Sequence, residues 1–141
     1  MRRAMVSESQ AGASARKGTI LVIDDEEIMR EILEALLVRE GYEVRLAPNA
    51  AVGLEQARAM PFDAVIMDVM MPGMDGLEAT RRIRADGRFD RLPIIAITAK
   101  AMKDDQEQCL AAGANDYLAK PIDLGRLYSL LRVWMPALER I

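Results

Sequence analysis

The chain has 141 residues, 51% of them hydrophobic and 29% charged, which suits one soluble domain with a real core and leaves no room for a second. Its net charge of -3, with no basic block, argues against a nucleic-acid partner. With no histidine and a single cysteine, Cys109, it excludes His-based catalysis, an intramolecular disulfide and a Cys-rich zinc site, so any chemistry must run on carboxylates, Lys, hydroxyls and backbone.

Residues 1–18 are rich in Ser, Ala, Gly, Arg and Lys without an apolar run, and read as a disordered leader or linker rather than a secretory signal. No apolar stretch approaches the roughly 20 residues of a membrane span, so a soluble, cytoplasmic protein with no membrane partner is expected. Thr19 to Ile23 is an apolar run ending in Asp24 and Asp25, the pattern of a strand buried on both faces. A helix is predicted from about Glu27 to Glu40, stopped by Gly41, and a strand over Glu43 to Ala47. Asn49 is placed to cap a helix from Ala50 to about Met60, which Pro61 ends. Ala64 to Met67 forms another buried strand that leads into Asp68.

The loop from Val69 to Gly76 carries Pro72, Gly73, Asp75 and Gly76, all turn formers. Helix resumes from Leu77 to about Ala85, where Arg81, Arg82 and Arg84 among acidic neighbours read as a solvated face. Then follow a strand over Ile94 to Thr98, a helix from about Lys103 to Ala112 ending at Gly113, and a short strand over Asp116 to Ala119. Asp123 is placed to cap a last helix running to about Trp134, and residues 136–141 form a short tail. Cys109 reads as a small apolar residue of its helix.

Five strand-then-helix units imply an α/β fold: a parallel sheet with helices on both faces, in three layers. Right-handed crossovers bring the carboxyl ends of all strands to one edge, where ligands bind. That edge gathers Asp24 and Asp25, Asp68, Thr98 and Lys120 from four of the five strands. An Asp after a strand often only caps the next helix, which explains Asp24 or Asp25 singly but not the set. Three converging carboxylates repel one another unless a cation joins them, and a hard all-oxygen set suits Mg²⁺. Asp68 is then placed as a nucleophile toward phosphorus, with Lys120 and Thr98 as a point charge and a hydroxyl donor for phosphoryl oxygens. Lys120-Pro121 is a candidate cis bond.

Leu21-Val-Ile-Asp-Asp25, Met67-Asp-Val-Met-Met-Pro-Gly-Met-Asp-Gly76, Ile97-Thr-Ala99 and Leu118-Ala-Lys-Pro121 together resemble the four motif blocks of two-component response-regulator receiver (CheY-like) domains, in order and at normal spacing. The resemblance implies a flavodoxin-like (βα)5 fold of strand order 2-1-3-4-5 over residues 19–135. It implies Asp68 as phosphoacceptor, with Mg²⁺ held by Asp25, Asp68, the backbone carbonyl of Met70 and, directly or through water, Asp24. It implies that Thr98 and Lys120 contact the phosphoryl group and that Tyr117 is the switch aromatic. The donor would be a histidine kinase or a histidine phosphotransfer protein, and the downstream protein is unspecified. The expected activity is that of a self-phosphorylating and self-dephosphorylating signalling domain, not a turnover enzyme.

A chain that opens with Met1 and has only a short tail after its last helix is expected to be a stand-alone receiver, with the receiver of a hybrid histidine kinase as the alternative. An aspartate-based Mg²⁺ phosphatase would need a second Asp at position 70, where Met70 stands, and a flavin site would not place Asp-Asp-Glu-Glu after the first strand. On the first helix, Ile28, Met29, Ile32, Leu33, Leu36 and Leu37 spread over about half the helical wheel, wider than a core contact needs. Met29, Ile32, Leu33 and Leu36 are assigned to the core. Ile28, with Ile122 after Lys120-Pro121, is expected to form an exposed apolar pair where a phosphohistidine protein docks.

Overall fold

The structure, a computed structural model, describes residues 17–99 and 102–135. Its elements run β1 (Thr19–Ile23), α1 (Glu27–Arg39), β2 (Glu43–Ala47), α2 (Ala50–Ala59), β3 (Ala64–Asp68), α3 (Gly76–Ala85), β4 (Ile94–Thr98), α4 (Lys103–Ala112), β5 (Asp116–Ala119) and α5 (Leu124–Trp134). A 3-10 turn over Gly87–Phe89, opened by the Asp86 carboxylate accepting from the Arg88 amide, is the one element among the described residues that the sequence pattern does not announce.

All strand pairs are parallel, in the order β2-β1-β3-β4-β5. This is the doubly wound order 2-1-3-4-5, in which successive side chains of each strand point to opposite faces. Leu21, Ile23, Val65, Met67, Ile94 and Ala96 pack against α2, α3 and α4 through Leu54, Ala57, Ala79, Ile83 and Cys109. Ile20, Val22, Ala64, Ile66, Ile95 and Ile97 pack on the other face against α1 and α5 through Leu33, Leu37, Leu127 and Leu131. Each of these fully buried large aliphatic side chains removes enough apolar surface to contribute about 1.5–3 kcal/mol before its entropy cost.

Helix boundaries follow local chemistry. Asn49, Asp75 and Asp123 accept from the amides of Val52, Glu78 and Arg126 at 2.9, 2.9 and 3.2 Å, capping α2, α3 and α5. Gly41 and Gly113, at φ +106° and +115°, close α1 and α4 in the left-handed region that favours glycine. Among the described residues no helix is long and apolar enough to cross a membrane.

Two local expectations, at Arg84 and Ile32, need correction, and the two termini lie largely outside the described residues. The leader 1–18 lies outside the described residues except for Lys17 and Gly18, and these two extend the β1–β2 edge. The Lys17 amide donates to the Gly41 carbonyl at 3.2 Å and the Glu43 amide to the Gly18 carbonyl at 2.9 Å. The tail 136–141 lies wholly outside the described residues.

Arg84 does not share the solvated face of Arg81 and Arg82, which pair with Glu78. It turns inward and donates to the carbonyls of Gly113 and Phe89 at 2.8 and 2.6 Å and to Asn115 Oδ1 at 2.7 Å, tying α3 to the end of α4. Ile32 is 47% exposed and joins Ile28, 72% exposed, outside the core. The packed stripe of α1 is centred on Leu33 and Leu37, with Met29 and Leu36 half-buried beside it. At about 100° per residue, Ile32 and Ile28 fall roughly 100° and 140° from Leu33, past the edge of that stripe.

Candidate functional site

Register aligns the carboxyl ends of the strands: Ile23 pairs with Met67, Asp68 with Ile97, and Thr98 with Ala119. The residues at and just beyond those ends therefore share one cleft. One carboxylate oxygen from each of Asp24, Asp25 and Asp68 lies within 4.8 Å of the others. Lys120 reaches over from the end of β5, its Nζ 3.5 Å from Asp68 Oδ1. Its amide donates to the Thr98 carbonyl at 2.8 Å, and its bond to Pro121 is cis.

Burial separates the acids. Asp24 and Asp68 are each 2% exposed and Thr98 4%, whereas Asp25 stands in solvent at the rim. Asp24 is held firmly: its Oδ1 accepts from the Glu26 amide at 2.9 Å and its carbonyl from Arg30 Nη1 at 2.7 Å. Asp68 is the exception, because its buried Oδ2 has no hydrogen-bond partner among the described residues. Leaving a buried acceptor unsatisfied costs about 1–3 kcal/mol, more when it is charged.

The electrostatics carry the same message. Burial, then the charge of Asp24, push the Asp68 carboxyl up to about 7, with Lys120 pulling the other way. Burial likewise raises Asp24. Burial alone would lower Lys120, but Asp68, Asp24 and Glu26 together outweigh it and raise the ammonium. A cleft with two carboxyls held above their usual range, one of them with an orphaned oxygen, fits a small hard cation.

The remaining expected residues are more scattered. Met70 lies on the loop after β3 with its side chain in solvent. Tyr117 is half-buried on the edge strand β5, packed against the α2–α3–α4 side of the sheet. Ile28 stands free at the start of α1, one turn from Asp25. Ile122 is not its exposed twin: it is half-buried and packs against the α1–α5 core, because it directly precedes the capping residue of α5. Cys109 is buried, and burial, then Asp105, push its thiol up, which leaves it an inert core residue.

Two residues at the site escaped the sequence reading. Glu26 places Oε1 3.5 Å from Lys120 Nζ; its only signal is a third acid after Asp24 and Asp25. Gly76, read as a turn former, has a second role. A Cβ there would overlap the Asp68 carbonyl oxygen directly and sit 2.8 Å from Val69 Cα. Only a glycine lets the first turn of α3 lie against the backbone that carries Asp68. Gly76→Ala is therefore expected to destabilise the protein by roughly 1–3 kcal/mol, as overpacking does, and to slow any reaction at Asp68. Urea unfolding beside a labelling assay checks both effects; a variant of wild-type stability would show that the backbone there yields freely.

The model of the response regulator receiver domain matches residues 20–132. The chain is 39% identical over 118 residues to the signal transduction histidine-protein kinase BarA of Escherichia coli, covering 84% of this chain and 13% of that protein. It is 42% identical over 113 residues to the response regulator MprA of Mycobacterium ulcerans, covering 80% of this chain and 48% of that one. It thus spans half or less of these relatives. Among solved structures, it is similar to the receiver domain of the sensor histidine kinase PA1611 of Pseudomonas aeruginosa, which has a magnesium ion coordinated in the active site cleft. That match has TM-score 0.78 and 40% identity, over 84% of this chain and 98% of that one. The chemotaxis protein CheY4 of Vibrio cholerae matches at TM-score 0.77 and 30% identity, over 82% and 96%.

Proposed function

The chain belongs to the response regulator receiver domain family of two-component systems, and from that premise we propose that Asp68 is its phosphoacceptor. The observation that carries this reading is the orphaned, buried Oδ2 of Asp68 beside Lys120. A carboxylate oxygen with a free lone pair is suited to act as the nucleophile of the cleft, and Lys120 stands beside it. Lys120 neutralises charge on the transferred group, and Thr98, at the end of the neighbouring strand, offers a hydroxyl to it. Asp24, Asp25 and Asp68, with the backbone carbonyl of Met70, would hold Mg²⁺, which when bound supplies positive charge to offset the carboxylates and the phosphoryl oxygens. Receivers as a family take phosphoryl groups from histidine kinases. This chain, having no histidine, depends on a separate phosphohistidine or on a small acyl phosphate.

The reading extends to a phosphorylation-dependent change at Thr98 and Tyr117, read by a downstream protein. The folded unit is assigned to residues 19–135 plus the short Lys17–Gly18 lead-in, working in the cytoplasm as a signalling domain without turnover of external substrates. Supporting this is the absence of a second acid at position 70 that could act on water. The test is intact mass after incubation with acetyl phosphate. One phosphoryl group should be gained with Mg²⁺ and none after chelation; metal-independent labelling would refute the reading.

Ile28 and Ile32 form the exposed apolar surface beside the cleft and are assigned as the docking contact for the phosphohistidine protein. Ile122 contributes from beneath, as packing. Ile28→Ala with Ile32→Ala should slow transfer from the cognate phosphohistidine protein by roughly tenfold, the effect of about 1.4 kcal/mol. Labelling by acetyl phosphate should stay near normal. Equal slowing with both donors would assign these residues to the fold instead.

A further inference from the structure

Lys120 has two counter-ions. Its ammonium lies 3.5 Å from Asp68 Oδ1 and equally 3.5 Å from Glu26 Oε1. Glu26 occupies the N-cap of α1, yet its side chain makes no capping bond. Its backbone is fixed on both sides: the amide donates to Asp24 Oδ1 at 2.9 Å, and the carbonyl accepts from the Arg30 amide at 3.1 Å. From this anchored position the carboxylate crosses the cleft to a lysine 94 residues away in sequence. The two acids differ in place. The Asp68 side chain is 2% exposed at the floor, while that of Glu26 is 63% exposed at the mouth.

We propose that Glu26 is a specificity-determining residue, an outer carboxylate that shares Lys120 with Asp68 and selects small phosphodonors by their charge. The inference rests on the assignment of Asp68 as acceptor. A donor approaching Asp68 must pass Glu26, and its phosphoryl oxygens must draw Lys120 away from Glu26 to be neutralised. Both effects oppose the donor in proportion to its negative charge. Across the few ångströms of a partly solvated mouth, one carboxylate is worth about a two- to fourfold change in rate per unit of donor charge. The reaction itself is unchanged: an Asp68 carboxylate oxygen forms the new bond to phosphorus while the bond to the leaving group breaks. Acetate leaves acetyl phosphate with that electron pair. Ammonia leaves phosphoramidate with the protons its nitrogen already bears.

The test compares wild type, Glu26→Gln and Asp68→Asn with acetyl phosphate, a dianion, and phosphoramidate, a monoanion, at Mg²⁺ concentrations that saturate each protein. Glu26→Gln should raise kcat/KM for acetyl phosphate about four- to sixteenfold, and for phosphoramidate only about two- to fourfold. Both gains should shrink as ionic strength rises from about 0.02 to about 0.5 M, where screening is strong. The melting temperature should stay that of wild type, since the Glu26 side chain is solvated. If wild type labels but Asp68→Asn does not, the acceptor assignment stands on its own. If, with that assignment intact, Glu26→Gln matches wild type, or shifts both donors equally at every salt concentration, the gate is overturned. If wild type does not label at all, the acceptor assignment fails and takes the gate with it.

Discussion

Asp68→Asn is expected to abolish phosphoryl uptake from every donor while leaving a folded protein. The amide keeps the shape of the carboxylate but has no nucleophilic oxygen, and no neighbour is placed to replace it. Asp24 Oδ1 already accepts from the Glu26 amide, and Asp25, although its carboxylate lies within 4.8 Å of the other two, is the exposed acid at the rim. Intact-mass measurement after acetyl phosphate and Mg²⁺ checks the loss. The same variant with wild-type circular dichroism separates lost chemistry from lost structure. Labelling of Asp68→Asn at the wild-type rate would move the acceptor elsewhere.

The second large effect concerns stability without metal. In the unfolded chain the Asp68 carboxyl ionises near its ordinary value of 3.8, whereas in the folded protein it holds its proton up to about 7. Between those values the native state binds more protons than the unfolded state, so stability must fall as pH rises through the window. The contribution is fully present below the lower value and gone above the upper one. Asp24 is shifted in the same direction. For Asp68 the loss is on the order of 4 kcal/mol. Urea unfolding in a chelator should therefore show wild type losing stability from pH 4 to 7 relative to Asp68→Asn, whose neutral amide carries no such penalty. Mg²⁺ should restore wild type above pH 7, by about 2.7 kcal/mol at a hundredfold excess over Kd. Parallel pH profiles for the two proteins would contradict a strained acidic cleft.

Most of this architecture was legible because the determinants are local. Short apolar runs such as Ile94 to Ile97 announce strands buried on both faces, and their length marks where each must end. Once the strands are parallel, the residue after each end is forced to one edge, so Asp24, Asp25, Asp68, Thr98 and Lys120 converge without any knowledge of packing. Asn49, Asp75 and Asp123 then delimit helices by their own side-chain chemistry.

The features not legible are those set by tertiary geometry. Ile32 and Leu37 both fit a helical stripe, and only the seating of α1 on β1 decides that Leu37 is buried and Ile32 is not. Arg84 reads like Arg81 and Arg82 until α4 brings the Gly113 carbonyl within reach. Glu26 looks like one more acid in a loop, and its pairing with Lys120 depends on the positions of β1 and β5. The demand for glycine at position 76 arises from the close approach of α3 to the Asp68 carbonyl, which no local pattern encodes.

The most direct test of the central claim is chemical mapping of the phosphoryl group in wild type. Borohydride reduces an aspartyl phosphate to homoserine and leaves a free carboxylate alone. After acetyl phosphate and Mg²⁺, peptide mass analysis should find that conversion at Asp68 alone, and at no residue when the metal is chelated. Conversion at Asp24 or Asp25, or at scattered surface acids independent of Mg²⁺, would contradict the assignment of this cleft.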